Sequence, residues 1–133
     1  MGHYVITCDY LESNPGHVYA HEYYNISIAD KEGILELAKE LKIDGILTYA
    51  SDLSALTAAY VAEQLGLPSQ PYKSVEILTY KDLFREFQKQ NKFHAPNAKS
   101  YNSIEDLMKD IHKFKLPIMI KPVDSSGSRG ISK

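Results

Sequence analysis

The sequence predicts an α/β fold built on a parallel sheet, and the order of its apolar segments supports this prediction. Tyr4–Cys8 is a short, β-branched apolar run typical of a buried strand, and Ile43–Tyr49 is a second one. Helical patterns follow each run, the first after Asp30 and the second from Asp52 to Leu65. Because this strand–helix order favours parallel neighbours joined by right-handed crossovers, we expect a single parallel sheet.

Local signals define the ends of these elements. Asp30 is an N-cap candidate for the first helix, whose apolar stripe consists of Ile34, Leu37, Ala38 and Leu41. Gly66 marks the end of the second helix, and Pro68 prevents its continuation. Tyr23–Ile28 is a further candidate for a short strand.

A change of composition at Leu67–Lys73 predicts a boundary, because Pro68 and Pro71 interrupt regular structure there. We therefore expect one domain over residues 1–72 and a second over residues 73–133. In the second, Lys81–Asn91 has the pattern of a helix.

The remaining elements of the second domain follow from caps and apolar runs. Ser103 and Asp106 form a capping-box pattern that predicts the start of a helix. Pro117–Lys121 is then expected as a strand, with a return strand over Ile131–Lys133.

Composition excludes several classes of protein. The chain is 44% hydrophobic and 24% charged, with a net charge of −2, which is typical of a globular protein and carries no basic footprint for nucleic acid. No apolar run approaches the ~20 residues that span a membrane, and the N-terminus lacks the pattern of a signal peptide. The single cysteine, Cys8, cannot form an internal disulfide, so we expect a cytoplasmic protein.

The segment between the last two predicted strands has the chemistry of a phosphate site. Its hydroxyl donors are Ser125, Ser126 and Ser128, and its flexible backbone N–H groups are those of Gly127 and Gly130. Arg129 supplies a cation, and Lys121 supplies a second one just before the segment. Neither GxxxxGK[ST] nor GxGxxG is present, and a simple hairpin turn is the alternative interpretation.

These residues resemble a known family. KPVDSSGSRGISK, from Lys121 to Lys133, closely resembles the strand–loop–strand hairpin of the ATP-grasp ligases. TYKDLFREF, from Thr79 to Phe87, resembles the family's helix entry, where a lysine, here Lys81, reaches the nucleotide. DGILTYASD and the following GLP are similar to the end of its preceding Rossmann-like domain. DY…PGHVYAHEYYNIS resembles the second-strand region of the purine-pathway and carbamoyl-phosphate-synthase branches.

The resemblance implies a fold and an activity. It implies a Rossmann-like pre-ATP-grasp domain, expected to lack its first strand, followed by the first part of the ATP-grasp α+β domain. Such ligases phosphorylate a carboxylate with ATP and join it to an amine or thiol through an acyl-phosphate. ATP and Mg²⁺ are the implied cofactors, a small carboxylate is the implied substrate, and Lys81 and Lys121 are the implied ATP contacts. The magnesium ligands are expected outside this chain, the catalytic residues remain unassigned, and no ligase turnover is expected of the chain alone.

Other interpretations stay open. A strand-end Lys121 and a helix-start Lys81 are also ordinary surface residues, and Arg129 is either a phosphate ligand or an exposed loop residue. A non-catalytic nucleotide- or protein-binding module is the main alternative function. A Rossmann-like dehydrogenase is disfavoured, because no glycine fingerprint precedes Asp9.

The ends of the predicted parallel strands supply substrate candidates. Asp9, Ser51 and Asp52 follow two such strands, where open α/β sheets bind ligands. Asp9 as a turn acid, and Ser51 or Asp52 as a helix N-cap, are the alternatives. His17 and His21 lack the acid of a zinc motif, so no metal site is predicted.

Two expectations concern packing and association. Cys8 lies within an apolar strand without a neighbouring histidine, so we expect it to be a small core residue. The terminal hairpin would carry open strand edges, so we expect either disorder beyond Val123 or self-association into a homo-oligomer. Neither nucleic acid nor membrane is an expected partner.

Overall fold

Two compact units make up the chain in the computed structural model, which describes residues 2–133. Unit 1 extends to Val75, and unit 2 comprises Glu76–Lys133. The expected boundary after residue 72 lies close to this division. The identities of the two domains stay a prediction.

A small parallel sheet forms one layer of unit 1. Strand β1 (Ile6–Cys8) pairs with β2 (Glu22–Tyr24) in the register Ile6↔Glu22 to Cys8↔Tyr24. A 3₁₀ helix, Pro15–Tyr19, lies between them and begins where Asn14 Oδ1 accepts from the Gly16 amide at 3.1 Å. The expected parallel pairing is therefore present, although β2 is shorter than Tyr23–Ile28 and begins one residue earlier.

Two capped helices complete unit 1. Helix α1 (Lys31–Leu41) begins where Asp30 Oδ1 accepts from the Gly33 amide at 3.0 Å. Helix α2 (Asp52–Leu65) ends at Gly66, whose φ of 66° is the left-handed conformation that glycine adopts readily. The sequence predictions of both helices are confirmed.

The core of unit 1 lies where the two helices meet the sheet. Ile34, Leu35 and Ala38 of α1 are buried with Val61 of α2, and Val61 is fully inaccessible to solvent. Half-buried residues complete the cluster: Cys8, Ile26, Ile43, Ile46, Tyr60 and Leu65. The buried Thr57 hydroxyl donates to the Ile28 carbonyl oxygen at 2.6 Å, which compensates for its loss of water.

The predicted strand at Ile43–Tyr49 is wrong. No described backbone–backbone hydrogen bond involves Asp44 to Ala50, and Leu47 and Tyr49 are 87% and 92% exposed. Apolar, β-branched composition favours an extended segment, but a strand forms only when a neighbouring strand accepts its backbone groups. Only the beginning of the run, through Ile43 and Ile46, packs against the core.

Helix α3 (Tyr72–Thr79) was not expected and spans the division between the units. Glu63 Oε2 accepts from the Tyr72 amide at 2.9 Å, and the Pro71 carbonyl accepts from the Ser74 amide. The negative carboxylate also stabilises the positive N-terminal end of the helix. Because Glu63 lies on α2, this cap at the start of α3 forms only when the chain has folded.

Unit 2 contains two further helices, both of which were expected. Helix α4 covers Lys81–Gln90, and α5 covers Ile104–Asp110, followed by a 3₁₀ turn at Ile111–Lys113. Ser103 Oγ accepts from the Asp106 amide at 3.1 Å, as the capping pattern predicts. No residue of unit 2 reaches the burial of the core residues of unit 1.

One carboxylate organises the end of α5. Asp110 accepts from the Lys99 ammonium, from Lys113 Nζ at 2.5 Å and from the Tyr101 hydroxyl at 3.2 Å. These donors favour the charged carboxylate, with the Lys113 bond the strongest, and hold the Asp110 pKa well below its usual range. Asp110 thus ties the chain before α5 to its C-terminal end.

The C-terminal hairpin is less regular than expected. Instead of strands over Pro117–Lys121 and Ile131–Lys133, the structure has one antiparallel bridge, Ile120↔Ser132. Both strand predictions are therefore wrong, whereas their antiparallel return is present. A single bridge forms because no third segment among residues 2–133 pairs with either arm.

Candidate functional site

The bridge at Ile120 and Ser132 is the base of the candidate loop. The Ile120 amide donates to the Ser132 carbonyl at 2.8 Å, and the Ser132 amide donates back at 3.0 Å. Lys121 and Ile131 are the next residues inward, so the chain between them leaves and returns at one place. Within it, the Arg129 amide donates to the Ser126 carbonyl at 3.3 Å, which forms a tight turn at the tip.

The tip of the loop uses left-handed backbone at three positions. Gly127, Ser128 and Gly130 have φ values of 62°, 61° and 69°. Gly130 has a second constraint, because a Cβ atom there would lie 2.8 Å from Cγ of Pro122. The corresponding atom on Gly127 would meet only Arg129 Nε, at 3.9 Å. Gly130 is therefore required by conformation and by space, and Gly127 by conformation alone.

Lys81, at the start of α4, contacts the chain where it enters this loop. Its amide donates to the Val123 carbonyl at 3.1 Å, and its ammonium donates to the Ser125 carbonyl. The structure thus brings Lys81 together with the Ser125–Gly130 loop, 44 residues away from it in sequence. Whether either of them contacts ATP stays a prediction.

Many donors of the loop have no protein acceptor. Among residues 2–133, no hydrogen bond or ion pair is made by the Lys121 ammonium or by the hydroxyls of Ser125, Ser126 and Ser128. Arg129 donates only through Nε, to the Ser126 carbonyl at 3.4 Å, which leaves the outer guanidinium nitrogens available. An exposed group of unengaged donors and cations is suited to an anion with several oxygens.

Asp9, a candidate substrate contact, is engaged locally. Its carboxylate accepts from the Leu11 amide and from Asn14 Nδ2, both at 3.0 Å. The Leu11 bond is the main reason that the Asp9 pKa is lowered. The Tyr23 hydroxyl donates to the Asp9 carbonyl at 2.9 Å. These contacts fit the alternative role of a turn acid, and a substrate contact stays untested.

Ser51 and Asp52 lie at the start of α2. Ser51 is its N-cap, with its Oγ accepting from the Ser54 amide at 3.4 Å, and Asp52 is the first helical residue. A carboxylate in the first turn stabilises a helix electrostatically. Among residues 2–133, no hydrogen bond joins either residue to Asp9, so their joint role in a substrate pocket stays a prediction.

His17 and His21 make separate structural contacts. His17 Nε2 lies 3.0 Å from the Leu11 carbonyl, which only accepts, so the ring donates there and Nδ1 accepts from the Thr7 hydroxyl at 2.9 Å in the neutral form. His21 Nδ1 accepts from the Val5 amide at 3.0 Å. Cys8 is half-buried, and burial raises the pKa of its thiol, in agreement with a core role.

Metal binding requires a different donor set from the one present. Within residues 2–133, no three His, Cys, Asp or Glu side chains converge on a point that suits a metal ion. Residues 2–133 therefore supply no cluster of protein ligands for Mg²⁺, which prefers carboxylate and water oxygens. The unengaged donors around Lys121 suit an anion instead.

Comparisons with known proteins connect this arrangement with a group of enzymes. The chain is 26% identical, over 160 aligned positions, to the formate-dependent phosphoribosylglycinamide formyltransferase of Rhodococcus jostii (strain RHA1). Its fold matches the crystal structure of L-amino acid ligase from Bacillus licheniformis with a TM-score of 0.75 at 24% identity. It also matches N5-carboxyaminoimidazole ribonucleotide synthetase from Thermotoga maritima, with a TM-score of 0.68 at 25% identity. These relatives are ATP-grasp enzymes, so the expected resemblance to that family is confirmed.

The matches cover most of this chain but only part of each relative. They include 99% of this chain in the sequence comparison and 93% in both structural ones. The chain spans about a third of its relatives: 33% of the formyltransferase, 32% of the amino acid ligase and 33% of the synthetase. No family model matches the sequence. No helix described for residues 2–133 is long and apolar enough to cross a membrane.

Proposed function

We propose that this chain binds ATP through the loop between Lys121 and Ile131, as part of an ATP-dependent carboxylate–amine or carboxylate–thiol ligase. The observation that carries the proposal is the set of unengaged donors on one loop: the Lys121 ammonium, three serine hydroxyls and the outer nitrogens of Arg129. The ATP-grasp relationship supports the choice of ATP among polyphosphates.

Charge explains how these groups would act on ATP. A polyphosphate carries several negative charges, and Lys121 and Arg129 offset two of them. Hydroxyl and backbone donors at Ser125–Ser128 would bind the remaining oxygens without reorganising. Held in this way, the γ-phosphoryl group is positioned for transfer to a carboxylate, and the loop excludes water from it.

The reaction that we propose for the whole ligase has two steps. A carboxylate oxygen attacks the γ-phosphorus of ATP, the bond to the bridging oxygen breaks, and an acyl-phosphate and ADP result. An amine or thiol then attacks the acyl carbon and displaces inorganic phosphate, with loss of its proton. Asp9, Ser51 and Asp52 are our candidates for the acceptor-substrate pocket. Because no described cluster fits Mg²⁺, the residues of this chain are assigned no metal-dependent step.

Calorimetric titration of the 133-residue chain with ATP tests the proposal. We expect Lys121→Ala to weaken ATP binding about tenfold or more, because a charged hydrogen bond to a phosphate is lost. The matched control is Lys115→Ala, which removes the same charge from an exposed position outside the loop. We expect the control to change the affinity less than about twofold, as a screened surface charge does.

Two results would contradict this assignment. Absence of a binding signal for the wild-type chain at millimolar ATP would remove ATP binding from the chain itself. Equal weakening by Lys121→Ala and Lys115→Ala would show that net charge, rather than the loop, attracts the nucleotide.

A further inference from the structure

Two hydrogen bonds join Lys81 to the chain that forms the candidate loop, and they leave part of the Lys81 ammonium available to a ligand. The Lys81 amide donates to Val123 and its ammonium to Ser125, so one residue contacts the loop through backbone and side chain. An ammonium has three donors, of which the Ser125 carbonyl uses one. Two remain for a phosphate, and the Lys81–Ser125 contact does not have to break when a nucleotide binds.

We propose that Lys81 is a positioning residue, whose side chain fixes the Ser125–Gly130 loop over its binding site before any nucleotide arrives. This inference rests on the proposed function, because the loop is taken as the phosphate site. Ser125 directly precedes the Ser126–Arg129 turn, so a hydrogen bond to its carbonyl holds the chain where it enters the tip. The bridge at Ile120 and Ser132 anchors the base, Lys81 anchors the first turn, and the tip at Ser126–Arg129 has only its own turn contacts.

The local surroundings make the Lys81 contact the main external restraint on the tip. Lys81 is half-buried, which reduces competition from water for its ammonium, whereas residues 126–130 are exposed. In the described part of the chain, the Lys81–Ser125 bond is the one hydrogen bond that joins residues 124–130 to a group outside that segment. Removing the ammonium should therefore release the tip while leaving the bridge in place.

The chain provides an internal measurement of this release. Its arginines are Arg85, within α4, and Arg129, at the tip of the loop, so an arginine-specific protease has two sites. Cleavage after Arg129 reports opening of the loop, and cleavage after Arg85 reports unfolding of the helix that carries Lys81. The rates of both cleavages in the nucleotide-free 133-residue chain can be followed by mass spectrometry.

We expect Lys81→Met to accelerate cleavage after Arg129 about fivefold or more, with cleavage after Arg85 changed less than twofold. Lys121→Met is the matched control, since Lys121 is exposed, near the same loop, and makes no described hydrogen bond. It should leave both rates unchanged. The ¹³C carbonyl resonance of Ser125 should also move upfield in Lys81→Met and stay in place in Lys121→Met.

Unchanged cleavage after Arg129 in Lys81→Met would overturn the inference, and so would equal acceleration at both arginines, which would indicate loss of the helix. Acceleration by Lys121→Met as large as that by Lys81→Met would do the same, because charge alone would then explain it. These outcomes are measured without nucleotide, so they are independent of the ATP titration that tests the proposed function.

Discussion

Replacing Gly130 with alanine should loosen the candidate loop far more than the same change at Gly127. Both positions have φ above 60°, where a Cβ atom is unfavourable by about 1 kcal/mol. At Gly130 that atom would also lie 2.8 Å from Cγ and 3.3 Å from Cδ of Pro122, inside normal contact distance. Since the proline ring cannot rotate away, relieving this overlap adds about 1 kcal/mol or more.

Hydrogen exchange at the Ile120 and Ser132 amides measures this effect, because their bridge closes the loop. About 1 kcal/mol should lower their protection about fivefold in Gly127→Ala, and about 2 kcal/mol should lower it roughly thirtyfold in Gly130→Ala. Equal loss of protection in the two variants would refute the argument that Pro122 restricts Gly130. Unchanged protection in both variants would also refute the argument that a Cβ atom is unfavourable at these left-handed positions.

Two other predictions concern the stability of each unit. Val61→Ala should lower the free energy of unfolding of unit 1 by about 2 kcal/mol in a urea titration, because buried methyl groups are lost, whereas Val18→Ala, at a position 78% exposed, should change it by less than about 0.5 kcal/mol. A similar effect of both valines would contradict the assigned core. Asp110→Asn should destabilise unit 2 at pH 7. The difference from wild type should shrink as the pH falls from about 4 toward the folded-state pKa, because a depressed carboxylate pKa stabilises the fold only while the unfolded state is ionised. A difference that persists unchanged at pH 2 would argue against ionisation as the cause.

Local patterns were sufficient for helices α1, α2, α4 and α5. Capping residues and apolar periodicity act within about one turn, so Asp30, Gly66 and Ser103 defined ends that the structure confirms. Helix α3 was missed because its cap comes from Glu63, on the preceding helix, and no short-range pattern encodes that contact. Strand segments were less predictable, as Ile43–Tyr49 shows, because their backbone groups need a partner elsewhere in the chain.

The candidate site, too, was predictable from the sequence only in part. Residue chemistry around Lys121 and the Ser125–Gly130 loop indicated a phosphate site, since hydroxyls, glycines and cations are visible in the sequence. Residue type alone also suggested Asp9 as a ligand contact, whereas the folded chain engages its carboxylate with Leu11 and Asn14. The sequence could not indicate that Gly130 packs against Pro122.

By itself, then, the sequence determined helices α1, α2, α4 and α5, the ATP-grasp resemblance and the chemistry of the Ser125–Gly130 loop, because each depends on residues close together in the chain. Tertiary structure alone decided which extended segments became strands and how Lys81 meets Ser125, 44 residues away. Both outcomes depend on hydrogen bonds between distant backbone and side-chain groups. Such bonds form only when the whole fold brings donor and acceptor together.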